Sequence, residues 1–265
     1  MTIRVIIAGA TGWTGSALVK GVAGASDMEL VGAVARKAAG QDAGVAAGGK
    51  KLGVTVQASL EAALTTPCDV VVDYTKPDVV MRHALAAIEK GVAFVVGTSG
   101  LSAADYAEID KAARAKGVGA FAAGNYSITA TLLAKFAVMA AKYVADVEVI
   151  DYAGAGKPDV PSGTGRELAE RLSAVRRPST ARPVGELAGA KETRGATIGE
   201  VQVHSLRLPG FILSCEAVFG APDERLSIRH DAGSSAEPYV AGTLLAIRRV
   251  RDAVGLRRGL DQLLE

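Results

Sequence analysis

Between residues 3 and 24 an apolar run, "IRVIIA", breaks at "GATGWTG" and resumes as "SALVKGVAG". Few folds accept that succession. Gly9, Gly12 and Gly15 follow a buried-strand pattern and open a helical one, so the chain turns sharply from β to α with its main chain uncovered. A pyrophosphate can then rest on the N–H groups at the helix N-terminus, because the glycines leave no side chain in its way. The spacing alone would mean only a tight βα turn. Its place after a strand and before a helix predicts a dinucleotide loop made of Gly9, Ala10, Thr11, Gly12, Trp13, Thr14 and Gly15.

The next hundred residues repeat the alternation. "MELVGAVA", "CDVVVDYT", "VAFVVGT" and "VGAFAAG" have the composition of strands buried on both faces of a parallel sheet. Helices fit between them. Pro77 opens one that runs to Lys90, and Ser102 with Asp105 makes a capping box for another that ends at Gly117. After Gly124 the rhythm changes to a long alanine-rich helix from about Ile128 to Val144, the run "DVEVIDYA", a glycine loop and a further helix. Three strand-like runs follow, "TIGEVQVHSLRL", "FILSCEAVFG" and "RLSIRHD", and helical spacing returns from Pro238 to Ala253. The expected fold is α/β: a Rossmann-type doubly wound parallel sheet with a second α+β domain carrying an open mixed sheet. The corresponding divisions are a dinucleotide-binding domain at 1–125, a substrate-binding and oligomerisation domain at 126–235, and a C-terminal helical segment at 236–265 that returns to the first.

Composition excludes several classes. The 265 residues carry a net charge of +2 with acids and bases interspersed, which offers nucleic acid no basic face. The cluster "RRVRDAVGLRR" reads as the solvated face of a helix. Neither a basic leader nor an apolar run of bilayer length is present, so the expectation is a cytoplasmic protein with no membrane partner. Cys68 and Cys215 fall in separate strand-like runs and read as buried thiols. His83, His204 and His230 are too scattered for a metal site, and structural roles are the commoner reading for each.

Polar residues gather where strands should end. The second strand leads into Ala35, Arg36 and Lys37, two cations where an NAD site would place an acid for the ribose hydroxyls, so NADPH is the expected cofactor and NADH the lesser one. Tyr74 and Thr75, then Gly97, Thr98 and Ser99, then Gly124, Asn125 and Tyr126, close later strands and should face the cofactor along a cleft between the two domains. The remaining signal is "DYAGAGKPDVPSGTG". Ser162, Gly163 and Thr164 lead into a helix and suit a carboxylate, while Lys157 just upstream can give a proton to an atom that gains electron density as hydride arrives. An N-cap beside a solvated lysine would look the same.

Taken together, "GATGWTG", "AR" after the second strand, "DAG" at Asp42 to Gly44, "DYTKPDVVMRHALAAIEKG", "VVGTSG", "GNYS", "KPDVPSGTG" and "HSLRLPG" resemble the 4-hydroxy-tetrahydrodipicolinate reductase (dihydrodipicolinate reductase) family over nearly the whole chain. The resemblance implies NAD(P)H-dependent reduction of a cyclic unsaturated imine dicarboxylate in the diaminopimelate and lysine pathway, and a homotetramer. It further implies that Gly9, Gly12, Gly15 and Arg36 bind the cofactor's phosphates, that Gly97 to Ser99 sit at its nicotinamide end, and that Lys157 is catalytic. Ser162, Gly163 and Thr164 would hold a substrate carboxylate. Two departures stand out. The family's adjacent histidines before the lysine are replaced by Ala153 and Gly154, and its substrate arginine after the "RHD" segment has no counterpart beside Ser234 and Ser235. Three readings follow: the pathway reductase with an altered acid, a reductase of another imine, enamine or unsaturated acid, and a catalytically silent NADPH sensor.

Overall fold

The computed structural model describes residues 2–178 and 182–264. In chain order its strands are β1 (Ile3–Ala8), β2 (Met28–Val34), β3 (Val56–Gln57), β4 (Val70–Asp73), β5 (Ala93–Val96), β6 (Gly119–Ala122), β7 (Asp146–Ala153), β8 (Ala196–Ile198), β9 (Val201–Arg207), β10 (Leu213–Ala221), β11 (Glu224–Ala232) and β12 (Gly255–Arg258). The helices are α1 (Trp13–Gly24), α2 (Ala43–Ala46), α3 (Leu60–Ala63), α4 (Pro77–Glu89), α5 (Ala103–Lys116), α6 (Ile128–Ala141), α7 (Gly163–Val175) and α8 (Glu237–Arg249). The chain forms two compact units, Met1–Ile128 with Ala236–Glu265, and Thr129–Ser235.

The first unit is built on a seven-stranded sheet in the order β12-β6-β5-β4-β1-β2-β3, and every pair in it is parallel. Side chains alternate across it with a period of two. Val5 and Ile7 of β1, Val70 and Val72 of β4, and Val95 of β5 enter one core with Leu18, Val22 and Ile247. Ile6, Val71, Phe94 and Val96 enter the other with Val80, Ile88 and Ile109. Burial on both faces is why these runs are almost wholly apolar. The Ser102 capping box starts α5, and Gly117 ends it in the left-handed conformation. The strand order reverses between β1 and β4, so the loops that follow them lie side by side, where open α/β sheets bind ligands.

The segment after α8, read above as helical, is only partly so. A 3-10 turn, Val250–Asp252, leads into β12, which pairs with β6 and extends the sheet. An edge strand gains its ladder from a distant neighbour, so a short run such as "GLRR" carries little pattern of its own. The basic cluster is divided accordingly: Arg248 on α8 pairs with Asp27, and Arg258 on β12 lies 4.0 Å from the Tyr106 ring.

The second unit carries a five-stranded mixed sheet in the order β11-β10-β7-β9-β8. Only β7 and β9 are parallel. The run "TIGEVQVHSLRL", read as one strand, is a hairpin: Gly199 adopts a left-handed φ of +60° and separates β8 from β9. Val147 and Val149 of β7 pack with Leu133, Ala137, Leu168 and Leu172 of α6 and α7. The opposite face presents partly exposed Ile150, Tyr152, Leu206, Glu216 and Val218, with the Tyr152 hydroxyl donating to Glu216 at 2.9 Å.

Candidate active site

In the first unit the glycine loop meets the geometric demands of a pyrophosphate cradle. Gly9 has φ +84°, and a Cβ there would lie 2.4 Å from the Tyr74 carbonyl oxygen. A Cβ on Gly15 would lie 2.0 Å from the Gly9 oxygen, so loop and helix touch through bare backbone. Gly12 is the N-cap of α1 and, unlike Asp42, Ser59, Ser102 and Ser162 on four other helices, brings no side-chain acceptor to the first turn. The donors of that turn are thus available to an anion, and the residues present fit a dinucleotide phosphate. Trp13 is exposed beside them and meets Tyr239 edge-on. Thr11 is exposed and Thr14 partly so.

Arg36 and Lys37 form an exposed 3-10 turn after β2 and make no ion pair among the described residues. The nearest acid in sequence, Asp42, is already occupied. Its carboxylate accepts from the N–H groups of Gly44, Val45, Leu52 and Gly53, and these bonds, Leu52's foremost, hold its carboxyl below the usual range.

Four of the expected residues have side chains that are engaged within the fold. Ala10 is in the core and offers only its main chain. Thr98 turns inward, its hydroxyl donating to Asp73 at 2.9 Å. Tyr126 is buried, donates to the Val96 carbonyl at 2.6 Å and packs against Tyr74, whose own hydroxyl is 2.8 Å from that of Thr243. Burial pushes both phenols up, so they remain neutral hydrogen-bonding groups. Ser162 is the N-cap of α7, and its hydroxyl is committed to Asp151 and to the Gly165 N–H. Of the remaining expected residues, Thr75 bonds to Asp73, Gly97 is partly exposed and Ser99 exposed, Gly124 is exposed, and the Asn125 side chain accepts from the Ser127 N–H at 2.8 Å.

In the second unit the loop after β7 is organised by residues that pattern reading passed over. Asp151 is fully buried and accepts from the Ser162 N–H at 2.9 Å and from Arg207 at 2.7 Å. Arg207 also donates to the Asp159 carbonyl at 2.8 Å, so the chain is fastened on both sides of Val160 and Pro161. A buried carboxylate left unpaired would cost several kcal/mol, which makes this fastening hard to break. The signal was available in the alternation of β7: Val147, Val149, Asp151 and Ala153 share a face, and an acid among inward residues requires a partner.

Lys157 lies on the fastened loop. Its N–H donates to the Gly154 carbonyl at 3.0 Å, and its Nζ, partly exposed, pairs with Asp159 at 2.8 Å. The hydrogen bond from Lys157 holds the Asp159 carboxyl below its usual range. Asp159 is therefore a carboxylate near neutral pH, paired with the Lys157 side chain. The N–H groups of Gly163 and Thr164 head α7, and Thr164 is partly exposed.

The family's histidine positions differ in kind. Ala153 is 0% exposed and shares a face of β7 with Val147, Val149 and Asp151. Gly154 lies outside the left-handed region, and a Cβ there would sit 3.2 Å from the Phe211 carbonyl oxygen. His204 pairs with Glu148 at 2.7 Å; Glu148 is opposed by burial but held low by Arg194 and His204. His230 meets Thr129 at 3.1 Å, and burial lowers its basicity. Both cysteines are free, with burial pushing the Cys68 thiol to about 11 and that of Cys215 to about 12. Among the described residues no group could hold a metal ion and no helix is long and apolar enough to cross a membrane.

A doubly wound sheet with a glycine cradle, joined to an α+β unit with a lysine loop, defines an NAD(P)H-dependent reductase. Comparison with known proteins makes the class specific. The model described as dihydrodipicolinate reductase, N-terminus, matches residues 3–126, and that described as dihydrodipicolinate reductase, C-terminus, matches residues 129–264. A 4-hydroxy-tetrahydrodipicolinate reductase of Desulfitobacterium hafniense is 39% identical over 265 residues, covering 99% of each chain. One of Moorella thermoacetica is 40% identical over 267 residues, covering 100% of this chain and 98% of its own. A dipicolinate-bound dihydrodipicolinate reductase from a Paenisporosarcina species superposes with a TM-score of 0.89 at 31% identity, covering 100% of both chains. The chain belongs to the dihydrodipicolinate reductase family.

Proposed function

We propose that the protein reduces a cyclic unsaturated imine dicarboxylate in the lysine and diaminopimelate pathway, with NADPH preferred to NADH and Lys157 as proton donor. The observation that carries this reading is the Gly154–Ser162 loop, which carries Lys157, paired with Asp159, ahead of α7 and is fastened through Asp151 and Arg207. When bound, the nicotinamide supplies a hydride to the unsaturated substrate. The chain's own part is to hold and protonate. The N–H groups of Gly163 and Thr164 hold a substrate carboxylate, the role proposed for Ser162 passing to the backbone it caps. Lys157 leaves Asp159 and gives its proton to the atom that gains electron density. In the first unit the backbone of the Gly9–Gly15 loop takes the pyrophosphate, and the backbones at Tyr74–Thr75, Gly97–Ser99 and Gly124–Tyr126 line the nucleotide. The test is NADPH loss at 340 nm, the ordinary absorbance of the reduced cofactor, with freshly generated hydroxytetrahydrodipicolinate beside a panel of cyclic imines. Faster turnover of a monocarboxylate imine would favour the second reading, which Ala153, Gly154 and the absent arginine support. No turnover of any would favour the sensor.

Arg36 and Lys37 support the cofactor preference, since both are exposed where a 2′-phosphate would lie and no acid competes for them. Arg36→Ala should weaken NADPH binding by about 1–3 kcal/mol and leave NADH nearly unchanged. Equal losses for both cofactors in a fluorescence titration would defeat this. The partly exposed face of Ile150, Tyr152, Leu206 and Val218 supports assembly into a homotetramer through the second unit's sheet. A monomeric mass by light scattering at micromolar protein would overturn it.

A further inference from the structure

The first unit contains a buried polar node that the reaction above does not use. Asp73, the last residue of β4, is 0% exposed. Its Oδ1 accepts from the Thr75 N–H at 2.9 Å, the Thr75 hydroxyl at 2.6 Å and the Thr98 hydroxyl at 2.9 Å. Its Oδ2 is 2.7 Å from Nδ1 of His83, itself buried on α4. All these groups lie on the α4 side of the sheet, among Val71, Val80, Phe94 and Val96, where apolar residues of the same size would pack at less cost.

The placement of the node indicates its use. Regular pairing of β4 with β5 ends at Asp73 and Val96, and beyond that edge a few backbone bonds, Gly97 N–H to the Asp73 carbonyl and Tyr74 N–H to the Ala8 carbonyl, both 2.9 Å, begin to tie the loops together. The carboxylate fastens its own loop through Thr75 and the neighbouring loop through Thr98. The effect reaches a third loop as well, because Gly9 packs directly on the backbone at Tyr74 and Thr75.

We propose that Asp73, braced by His83, is a positioning residue for the nicotinamide nucleotide: it sets the loops after β1, β4 and β5 as one rigid rim. The proposal rests on the reading that this rim binds the cofactor. A buried carboxylate that bonds to Thr75, Thr98 and His83 can hold its own loop and the next in one arrangement, with the Gly9 loop packed on them, whereas apolar packing would tolerate small slips.

The test is NADPH titration, followed by fluorescence, of paired variants in the full chain. Thr98→Val removes one hydroxyl, and Thr98→Ser keeps it. His83→Leu removes the brace, and His83→Asn keeps a donor near the place of Nδ1. Thr98→Val and His83→Leu should each raise the NADPH dissociation constant about tenfold, and the conservative partners should return it to within about threefold of the wild type. Folded Thr98→Val and His83→Leu proteins that bind NADPH like the wild type would overturn the proposal. So would equal losses in Thr98→Val and Thr98→Ser, because volume rather than the hydroxyl would then matter. Should His83→Leu fail to fold, the Thr98 pair decides alone. A wild-type chain that binds neither NADPH nor NADH overturns the cofactor reading itself, an outcome visible before any variant is made.

Discussion

Lys157→Met should lower kcat by about 10²–10⁴-fold, the usual contribution of a positioned general acid, while the NADPH dissociation constant stays unchanged. Methionine keeps most of the length and apolar stem of lysine but cannot carry the proton. The fold should tolerate the change. The Lys157 and Asp159 side chains are 32% and 50% exposed, and an ion pair that open adds little to stability. Lost turnover therefore cannot be charged to lost folding, and a thermal melt within a few degrees of the wild type would document this. Steady-state kinetics on the best substrate of the imine panel decide the matter: unchanged kcat in Lys157→Met would make the lysine a bystander.

Gly15→Ala should raise the NADPH dissociation constant about 100-fold and lower stability by about 1–3 kcal/mol. Helix propensity alone gives the opposite sign, since alanine inside a helix is favoured over glycine by about 1 kcal/mol. Close approach decides. The new methyl would lie 2.0 Å from the Gly9 oxygen and 2.8 Å from the Gly9 carbonyl carbon, and backbone atoms cannot rotate aside as a side chain can. Gly24→Ala is the control: it lies at the far end of the same helix, and a Cβ there meets nothing within 4 Å. It should leave both quantities within experimental error or stabilise slightly. If Gly15→Ala binds NADPH as tightly as Gly24→Ala, the loop is not the pyrophosphate cradle.

Local signals proved legible where a single segment satisfied its own requirements. Ser102 and Asp105 cap one helix and Gly117 ends it, all within the reach of a few residues. The apolar strands of the first unit could be read because burial on both faces leaves no place for polarity. The hairpin of β8 and β9 was missed because its turn, Gly199–Glu200, interrupts a run that otherwise keeps strand-like alternation. β12 was missed for a related reason, since its four residues become a strand only through β6, more than a hundred positions away.

By itself, the sequence determined the order of elements, the Rossmann-type sheet, the glycine cradle and the presence of Lys157 ahead of a helix N-terminus. Each follows from periodicity, from the conformations only glycine adopts, or from spacing along one segment. Tertiary structure alone decided which polar groups were already occupied. It gave the Ser162 hydroxyl to Asp151, turned Thr98 toward Asp73, buried Tyr126 against Val96, and made Arg207 the fastening of the lysine loop. It also buried Ala153 completely. A buried donor or acceptor must find a partner wherever the fold supplies one, and that partner can lie 56 residues away, as Arg207 does from Asp151. Such pairings depend on distance in space, which no local pattern encodes.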